Sequence, residues 1–135
     1  MIFACGRFDI LHPGHIKLLQ IAKDLATGTD DNLVIAINSD KSCEALGKPA
    51  MMSEHDRMSL ITSLSFFDDC VNATIFNETD AREIVKKNRE HESITWVLGD
   101  DHRNEDFSGL KDVQIIFVKR SNHSSSAIKE KMKCQ

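Results

Sequence analysis

The chain has 135 residues, of which 41% are hydrophobic, and its formal net charge is −4 at pH 7. A chain of this length can bury about two-thirds of its unfolded surface, so we expect one domain spanning 1–135 that needs no disulfide or metal to stabilise it. The negative charge argues against a nucleic-acid partner. The lack of a signal peptide, a long apolar run or paired cysteines favours a cytoplasmic protein with no membrane partner.

Apolar runs alternate with segments of helical periodicity along the chain. Strands are predicted at Ile2–Cys5, Leu33–Asn38, Cys70–Phe76, Ile94–Leu98 and Val113–Lys119, and helices at Pro13–Ala26, Glu54–Phe66, Ala81–Glu90 and Ser126–Lys133. The buried stripe of the first helix is expected to contain Ile16, Leu19, Ala22, Leu25 and Ala26. This alternation predicts an α/β fold, a single Rossmann-like, doubly wound, parallel five-stranded sheet with helices on both faces.

The junction between the first strand and the first helix reads Cys5-Gly-Arg-Phe-Asp-Ile-Leu-His-Pro-Gly-His-Ile-Lys-Leu18. A strand that leads into a helix N-terminus leaves backbone N–H groups unpaired, and together with the helix dipole these groups attract anions. Pro13 suits the first helical turn, and Gly14 lets a ligand approach the backbone. Because His12 and His15 are three residues apart, they share one face of that turn, which predicts a phosphate site.

This segment resembles the signature of the cytidylyltransferase-like nucleotidyltransferases, which usually read G-x-F-D-x-x-H-x-G-H. The resemblance implies that His12 and His15 stabilise the charge on the α-phosphate of a nucleoside triphosphate while a substrate phosphate displaces pyrophosphate. Such a reaction depends on in-line positioning and hydrogen-bond donors rather than on a covalent nucleophile. The resemblance also implies the strand order 3-2-1-4-5, with the ligand crevice between the first strand and the strand that ends in Val97-Leu-Gly99.

The two histidines have two alternative interpretations. One is a helix cap or a surface position, but two histidines at this spacing after Gly-x-Phe-Asp make it the weaker interpretation. The other is a structural zinc site, which needs three or four ligands at a recognisable spacing. Neither the four cysteines nor the remaining histidines provide that spacing, so no protein-bound metal is expected.

Two further motifs are expected at the same crevice. Gly99-Asp-Asp101 follows the fourth strand and resembles the G-D-D of glycerol-3-phosphate, choline-phosphate and ethanolamine-phosphate cytidylyltransferases. Arg120-Ser-Asn-His-Ser-Ser-Ser126 opens the last helix and resembles the family's R-T-x-G-x-S-T-T, although it is one residue shorter and lacks the glycine. Its hydroxyls, N–H groups and guanidinium would donate to triphosphate oxygens. Taken alone, Asp100-Asp101 is more typical of a solvated turn, and the serine-rich segment is equally typical of a capped surface turn.

The segment from Asp40 to Arg57 resembles, without gaps, the segment that leads into E-H-R in the glycerol-3-phosphate enzymes. Arg57 then matches the family's arginine and Lys48 one of its loop lysines, and both would neutralise the triphosphate and the leaving pyrophosphate. Asp40 and Lys48 are expected to bind the acceptor. A heptose-phosphate adenylyltransferase has an A-D-R-M run similar to His55-Asp-Arg-Met58.

The resemblance implies transfer of CMP from CTP to a small phosphorylated alcohol, with glycerol 3-phosphate as the leading acceptor and Mg2+ carried by the triphosphate. The alternatives are an adenylyltransferase that uses ATP on a heptose phosphate or on FMN, and a nucleotide-binding regulator without catalytic activity. The family is commonly dimeric, so a homodimer is expected. Catalysis is assigned to His12, His15, Lys48 and Arg57. The expected nucleotide-binding residues are Gly6, Arg7, Phe8, Asp9, Gly14, Gly99, Asp100, Asp101, Arg120, Ser124, Ser125 and Ser126.

Overall fold

One sheet of five strands organises the molecule. The computed structural model describes residues 1–89 and 93–119. Across the sheet the order is β3-β2-β1-β4-β5, and every neighbouring pair is parallel, which confirms the predicted Rossmann-like order. The strands lie within one residue of their predicted bounds and are β1 Ile2–Gly6, β2 Leu33–Asn38, β3 Val71–Phe76, β4 Thr95–Gly99 and β5 Gln114–Val118.

Four α-helices and one 3₁₀ turn at Asp100–His102 connect the strands in the described part of the chain. Ser53 caps the third helix because its side chain accepts a hydrogen bond from the Asp56 N–H, as a serine at this position is expected to do. None of the described helices is both long enough and apolar enough to cross a membrane. The helices are α1 Pro13–Thr29, α2 Asp40–Ala45, α3 Glu54–Thr62 and α4 Ala81–Asn88.

The sheet separates two hydrophobic clusters. Leu19 of α1 and Ile61 of α3 belong to the cluster that contains Ala4 of β1. Side chains alternate along a strand, so the neighbouring Phe3 points to the opposite face, where it shares a cluster with Val85 of α4. Loops from both faces therefore meet at the carboxyl ends of the strands, and we call this edge of the sheet the site edge.

Three helix boundaries differ from the sequence-based prediction. Helix α1 continues past Ala26 to Thr29, where Asp30 adopts φ of 58° and its N–H bonds back to the Ala26 carbonyl. Helix α3 ends at Thr62 rather than Phe66, because Ser63 bonds back to the Ser59 carbonyl through its hydroxyl at 2.6 Å and the chain turns. Helix α4 ends at Asn88, and the predicted helix Ser126–Lys133 lies outside the described residues.

The sequence analysis also missed one helix and placed one residue of α1 wrongly. Helix α2 was not predicted, since its six residues are too few to show a helical period. The Ser39 side chain caps it by accepting a hydrogen bond from the Ser42 N–H. Ile16 was expected in the buried stripe of α1, yet it is 39% exposed. It lies in the first turn of α1, ahead of the buried residues Leu19, Ala22 and Ala26.

Candidate active site

The turn from β1 into α1 presents two stacked histidine rings. His12 is the N-cap of α1, and its Nδ1 accepts a hydrogen bond from the Gly14 N–H at 3.0 Å. An accepting Nδ1 carries no proton, so the ring proton of the neutral side chain is on Nε2. The ring of His15 stacks on that of His12, with 3.8 Å between centroids and 25° between planes. His12 therefore caps the helix through Nδ1, with its ring stacked on that of His15.

His15 is held as a neutral donor. Burial is the largest cause that lowers its pKa to about 4, and electrostatic interactions with His12 and Arg7 lower it further. Its Nδ1 is buried and has no hydrogen-bond partner among residues 1–89 and 93–119. The edge of Phe8 packs against its ring, with 5.6 Å between centroids. Uncharged donors in a dry pocket beside a helix N-terminus are the groups that stabilise developing negative charge.

The backbone of this turn is strained. Phe8 and Ile10 adopt φ values of 48° and 29°, in the left-handed region that bulky residues avoid. Conformations of this kind cost on the order of 1–3 kcal/mol each and persist only where the surrounding structure enforces them. Phe8 is 5% exposed and sits in the core cluster beneath α1, so burial of its ring offsets the strain. The turn is thereby fixed in a shape that a relaxed loop would not keep.

Asp9 joins the turn to the loop between α2 and α3. Its carboxylate is buried and accepts hydrogen bonds from the Met51 N–H at 3.1 and 3.0 Å and from the Met52 N–H at 3.0 Å. The same loop contains Lys48, the lysine expected in catalysis. Asp9 was predicted to bind nucleotide, and the structure instead turns its carboxylate toward the loop.

Arg57 lies behind the turn in the protein interior. Its side chain is fully buried and donates to the backbone carbonyls of Met52 at 3.1 Å, Arg7 at 2.7 Å and Asn38 at 2.6 Å. It also donates to Asp40 Oδ1 at 2.8 Å, and this bond is the largest cause that lowers the pKa of the Asp40 carboxyl. The expectation that Arg57 neutralises the triphosphate directly therefore disagrees with its place in the structure, where its donors tie three segments together.

Arg7 and Lys48 are the cations on the open side of the turn. The Lys48 side chain is exposed, and its backbone carbonyl accepts from Arg7 Nη1 at 3.4 Å. Among the described residues neither side chain forms an ion pair with a carboxylate. Both can therefore turn toward an anion bound at His12 and His15. The Asp40 side chain remains 46% exposed beside them, although one of its oxygens is already bonded to Arg57.

The end of β4 forms the next part of the site edge, as the Gly99-Asp-Asp101 motif predicts. A Cβ atom built on Gly99 would lie 2.5 Å from Asp101 Oδ1, so only glycine lets this carboxylate fold back over the strand end. Asp100 begins the 3₁₀ turn that also contains His102. The His102 ring bonds to Glu105 through Nδ1 and lies 3.7 Å from Asp101 through Nε2, which links the two carboxylates.

On the face opposite α1, the site edge has a second wall that sequence reasoning missed. Arg82 Nε donates to both oxygens of Asp80 at 2.9 and 3.1 Å, and its Nη1 donates to the Asp106 carbonyl at 2.7 Å. The Cys5 thiol lies below, and burial raises its pKa to about 12, with smaller contributions from the charges of Glu105 and Asp80. The available signal was an Asp two residues before an Arg at the start of the predicted helix Ala81–Glu90.

Some predicted site residues cannot be placed. Arg120, Ser124, Ser125 and Ser126 lie outside the described residues. Within 1–89 and 93–119, the structure brings His12, His15, Gly14 and Arg7 to one edge with Gly99 and Asp101. In the same part of the chain no group of three or more His, Cys, Asp or Glu side chains is arranged to hold a metal ion.

A parallel Rossmann-like sheet with two stacked histidines at its first strand–helix junction defines a class of nucleotide-transferring α/β domains. The model of the cytidylyltransferase-like family matches residues 3–131, and the chain belongs to this family. This match confirms the family that the resemblance in its sequence indicates.

Two curated relatives and one solved structure are similar to this chain. The bifunctional protein HldE of Helicobacter pylori strain HPAG1 is 36% identical over 138 residues, and that of Campylobacter curvus strain 525.92 is 34% identical over 140 residues. Each match covers 98% of this chain but 27% of the relative, so the chain spans about a quarter of these proteins' length. Among solved structures, the lipopolysaccharide core biosynthesis protein of Thermoplasma volcanium GSS1 is 28% identical, with a TM-score of 0.63 over 89% of this chain and 94% of that one.

Proposed function

We propose that this domain transfers AMP from ATP to the phosphate of a sugar phosphate, a heptose phosphate, and releases pyrophosphate. The observation that carries the proposal is the His12–His15 stack at the N-terminus of α1, with both rings uncharged beside the positive end of the helix dipole. A triphosphate fits this arrangement because its charge meets donors that need no rearrangement.

The acceptor phosphate would supply the nucleophile itself. One of its oxygens attacks the α-phosphorus, the bond from that phosphorus to the bridging oxygen of pyrophosphate breaks, and the electron pair leaves with pyrophosphate. A phosphate monoester is already ionised at neutral pH, so no general base is needed. His12 Nε2 and His15 would donate hydrogen bonds to the α-phosphate oxygens as charge builds on them, while Arg7 and Lys48 bind the outer phosphates.

The choice of ATP over CTP departs from the sequence-based preference. That preference rested on Gly99-Asp-Asp101 and on the ungapped match from Asp40 to Arg57, both typical of the glycerol-3-phosphate branch. The similarity to HldE proteins and to a lipopolysaccharide core biosynthesis protein supports ADP-heptose synthesis instead. A carboxylate such as Asp101 accepts hydrogen bonds from the exocyclic amine of adenine and of cytosine alike, so the motif is compatible with either base.

Mg2+ is proposed to accompany the nucleotide. Asp9 and Asp40, the carboxylates nearest the histidine turn, are already bonded to backbone N–H groups and to Arg57. A metal ion that binds phosphate oxygens and water therefore fits this site better than one held by protein carboxylates. Its charge would offset that of the triphosphate. Removal of Mg2+ with a chelator should abolish pyrophosphate release and leave the unfolding midpoint of the nucleotide-free protein unchanged. A drop in that midpoint would indicate a structural metal instead.

The deciding experiment combines two nucleotides with a panel of acceptors. ATP and CTP at equal concentrations are offered with heptose phosphate, glycerol 3-phosphate, choline phosphate or FMN, and pyrophosphate is measured. Fastest release with ATP and heptose phosphate supports the proposal, whereas fastest release with CTP and glycerol 3-phosphate restores the alternative. No release with any pair would favour a nucleotide-binding regulator. A homodimer and a cytoplasmic location remain predictions, the former testable by sedimentation.

A further inference from the structure

The second wall of the site edge suggests how the acceptor is recognised. We propose that Asp80 hydrogen-bonds a hydroxyl group of the acceptor's sugar and that Arg82 is the residue that positions this carboxylate. The inference rests on the proposed function, because it assigns the carbohydrate part of that substrate to the face of the sheet opposite α1.

The direction of the reaction places the acceptor on that face. The stacked histidines and the N-terminus of α1 attract the phosphates of the nucleotide on the α1 face. Attack on the α-phosphorus is roughly in line with the leaving pyrophosphate, so the acceptor has to enter from the opposite side. On that side the site edge is lined by Asp80 and Arg82 at the start of α4, with the thiol of Cys5 at the end of β1 beneath them.

The geometry fixes the Asp80 carboxylate before any ligand arrives. Its Oδ1 accepts from the Arg82 N–H at 3.0 Å and from Arg82 Nε at 2.9 Å, and its Oδ2 accepts from Nε at 3.1 Å. Arg82 is in turn held by the Asp106 carbonyl at 2.7 Å, which connects the start of α4 to the loop after β4. A carboxylate has about four lone-pair sites, so Oδ2 retains capacity for another donor. The Asp80 side chain is 42% exposed, and a ligand can reach it.

Charge selects the chemistry of the group that binds there. Arg82 already compensates the charge of Asp80, so a second cation such as a quaternary ammonium would meet the guanidinium. An additional phosphate would meet the negative charges of Asp80 and Glu105, both close enough to Cys5 to affect its thiol. A neutral hydroxyl group that donates one hydrogen bond suits a rigid, compensated carboxylate, and a sugar offers several such groups.

The test compares two Asp–Arg pairs at opposite ends of α4. Asp80→Asn keeps the helix cap, because asparagine caps as well as aspartate, but it removes the charged acceptor. Asp112→Asn is the matched control, since Asp112 pairs with Arg89 at 3.4 Å at the other end of α4, away from the site edge. The full chain is assayed for pyrophosphate with ATP and heptose phosphate, and the KM of each substrate is measured.

For Asp80→Asn we expect the KM for heptose phosphate to rise about 10- to 100-fold, as for loss of one charge-assisted hydrogen bond, with the KM for ATP within about twofold. Arg82→Lys should give a smaller rise in the same KM, since lysine lacks the planar guanidinium that bonds Asp80 through Nε and the Asp106 carbonyl through Nη1. Asp112→Asn should match the wild type. Monodeoxy heptose phosphates add a direct readout, because one of them should lose affinity with the wild type and not with Asp80→Asn.

Three results would overturn the inference. They are an unchanged acceptor KM in a folded Asp80→Asn protein, an equal rise in the KM for ATP, and full sensitivity of Asp80→Asn to every deoxy analogue. If glycerol 3-phosphate is the preferred acceptor, the proposed function is wrong. The role of Asp80 is then tested by the same KM measurements with glycerol 3-phosphate and its deoxy analogues. Preference for choline phosphate, which carries no free hydroxyl, would end both.

Discussion

The carboxylate of Asp9 bonds to the backbone N–H of Met51, 42 positions along the chain, at 3.1 and 3.0 Å. This contact ties the histidine turn to the loop that contains Lys48. Asp9, a residue of the signature, therefore holds the loop beside the predicted phosphate site in place.

We predict that Asp9→Asn lowers both stability and turnover. An amide oxygen in the place of Oδ1 still accepts from both N–H groups, but the NH2 group that replaces Oδ2 faces the Met51 N–H. One of the three hydrogen bonds is then lost and two buried donors oppose each other. The expected loss is about 1–3 kcal/mol in the free energy of unfolding, measured by urea denaturation, together with a lower kcat because Lys48 is no longer held. Asp68→Asn is the control, because Asp68 pairs with Lys23 at the surface and should change stability little. A fully active, fully stable Asp9→Asn protein would refute the anchoring role.

His15→Ala should fold normally and lose turnover by about 10²- to 10³-fold, the usual effect of removing one preorganised donor. His55→Ala provides the comparison, since His55 is exposed in the first turn of α3. Circular dichroism checks the fold and pyrophosphate release gives kcat for both variants. Near-normal release by folded His15→Ala protein would remove His15 from the catalytic site.

The free energy of unfolding should decrease as the pH is lowered through the range in which His15 titrates. Its pKa is about 4 in the folded protein and near 6.5 when exposed, so the unfolded chain takes up the proton more readily. The free energy of unfolding is therefore unaffected above pH 6.5 and decreases as the pH falls from 6.5 toward 4. Urea midpoints of wild type and His15→Gln across this range isolate the effect, because the variant lacks the titrating ring. Parallel pH profiles for the two proteins would contradict the assignment.

Two glycine substitutions should affect different properties, the first nucleotide binding and the second stability. Gly99→Ala places a Cβ 2.5 Å from Asp101 Oδ1, so the carboxylate must move and the KM for the nucleotide should rise. Gly28→Ala meets no atom within 4 Å near the end of α1 and should raise the free energy of unfolding by roughly 0.5–1 kcal/mol through helix propensity. The first is checked by kinetics and the second by urea denaturation. The reverse pattern would mean that Asp101 does not border the nucleotide.

Local signals predicted the sheet well. Each strand is a short apolar run bounded by turn residues, so its position follows from composition. The strand order was implied by the family resemblance and not by the strands themselves. Helix ends were harder to predict. Whether α3 stops at Thr62 depends on a single serine hydroxyl that bonds back to Ser59, and α2 has too few residues for a period.

Residue types at the candidate site were easier to predict than their roles. Arg57 was expected to touch phosphate because arginine suits phosphate, but its donors are occupied by Met52, Arg7 and Asn38, contacts that link positions far apart in sequence. Arg82 went unnoticed for the same reason, since its partner carbonyl at Asp106 lies 24 residues away. Sequence spacing carries no information on such contacts, which only the closed fold creates.

The close stack of His12 and His15 gives the site an intrinsic spectroscopic signal. Protons held above the face of an aromatic ring are shielded by its ring current, so the ring resonances of these two side chains should be displaced from those of the exposed His55 in a proton NMR spectrum. A nucleotide that inserts its phosphate between or beside the rings changes their overlap. Ligand binding can then be followed residue by residue, without a label and without turnover.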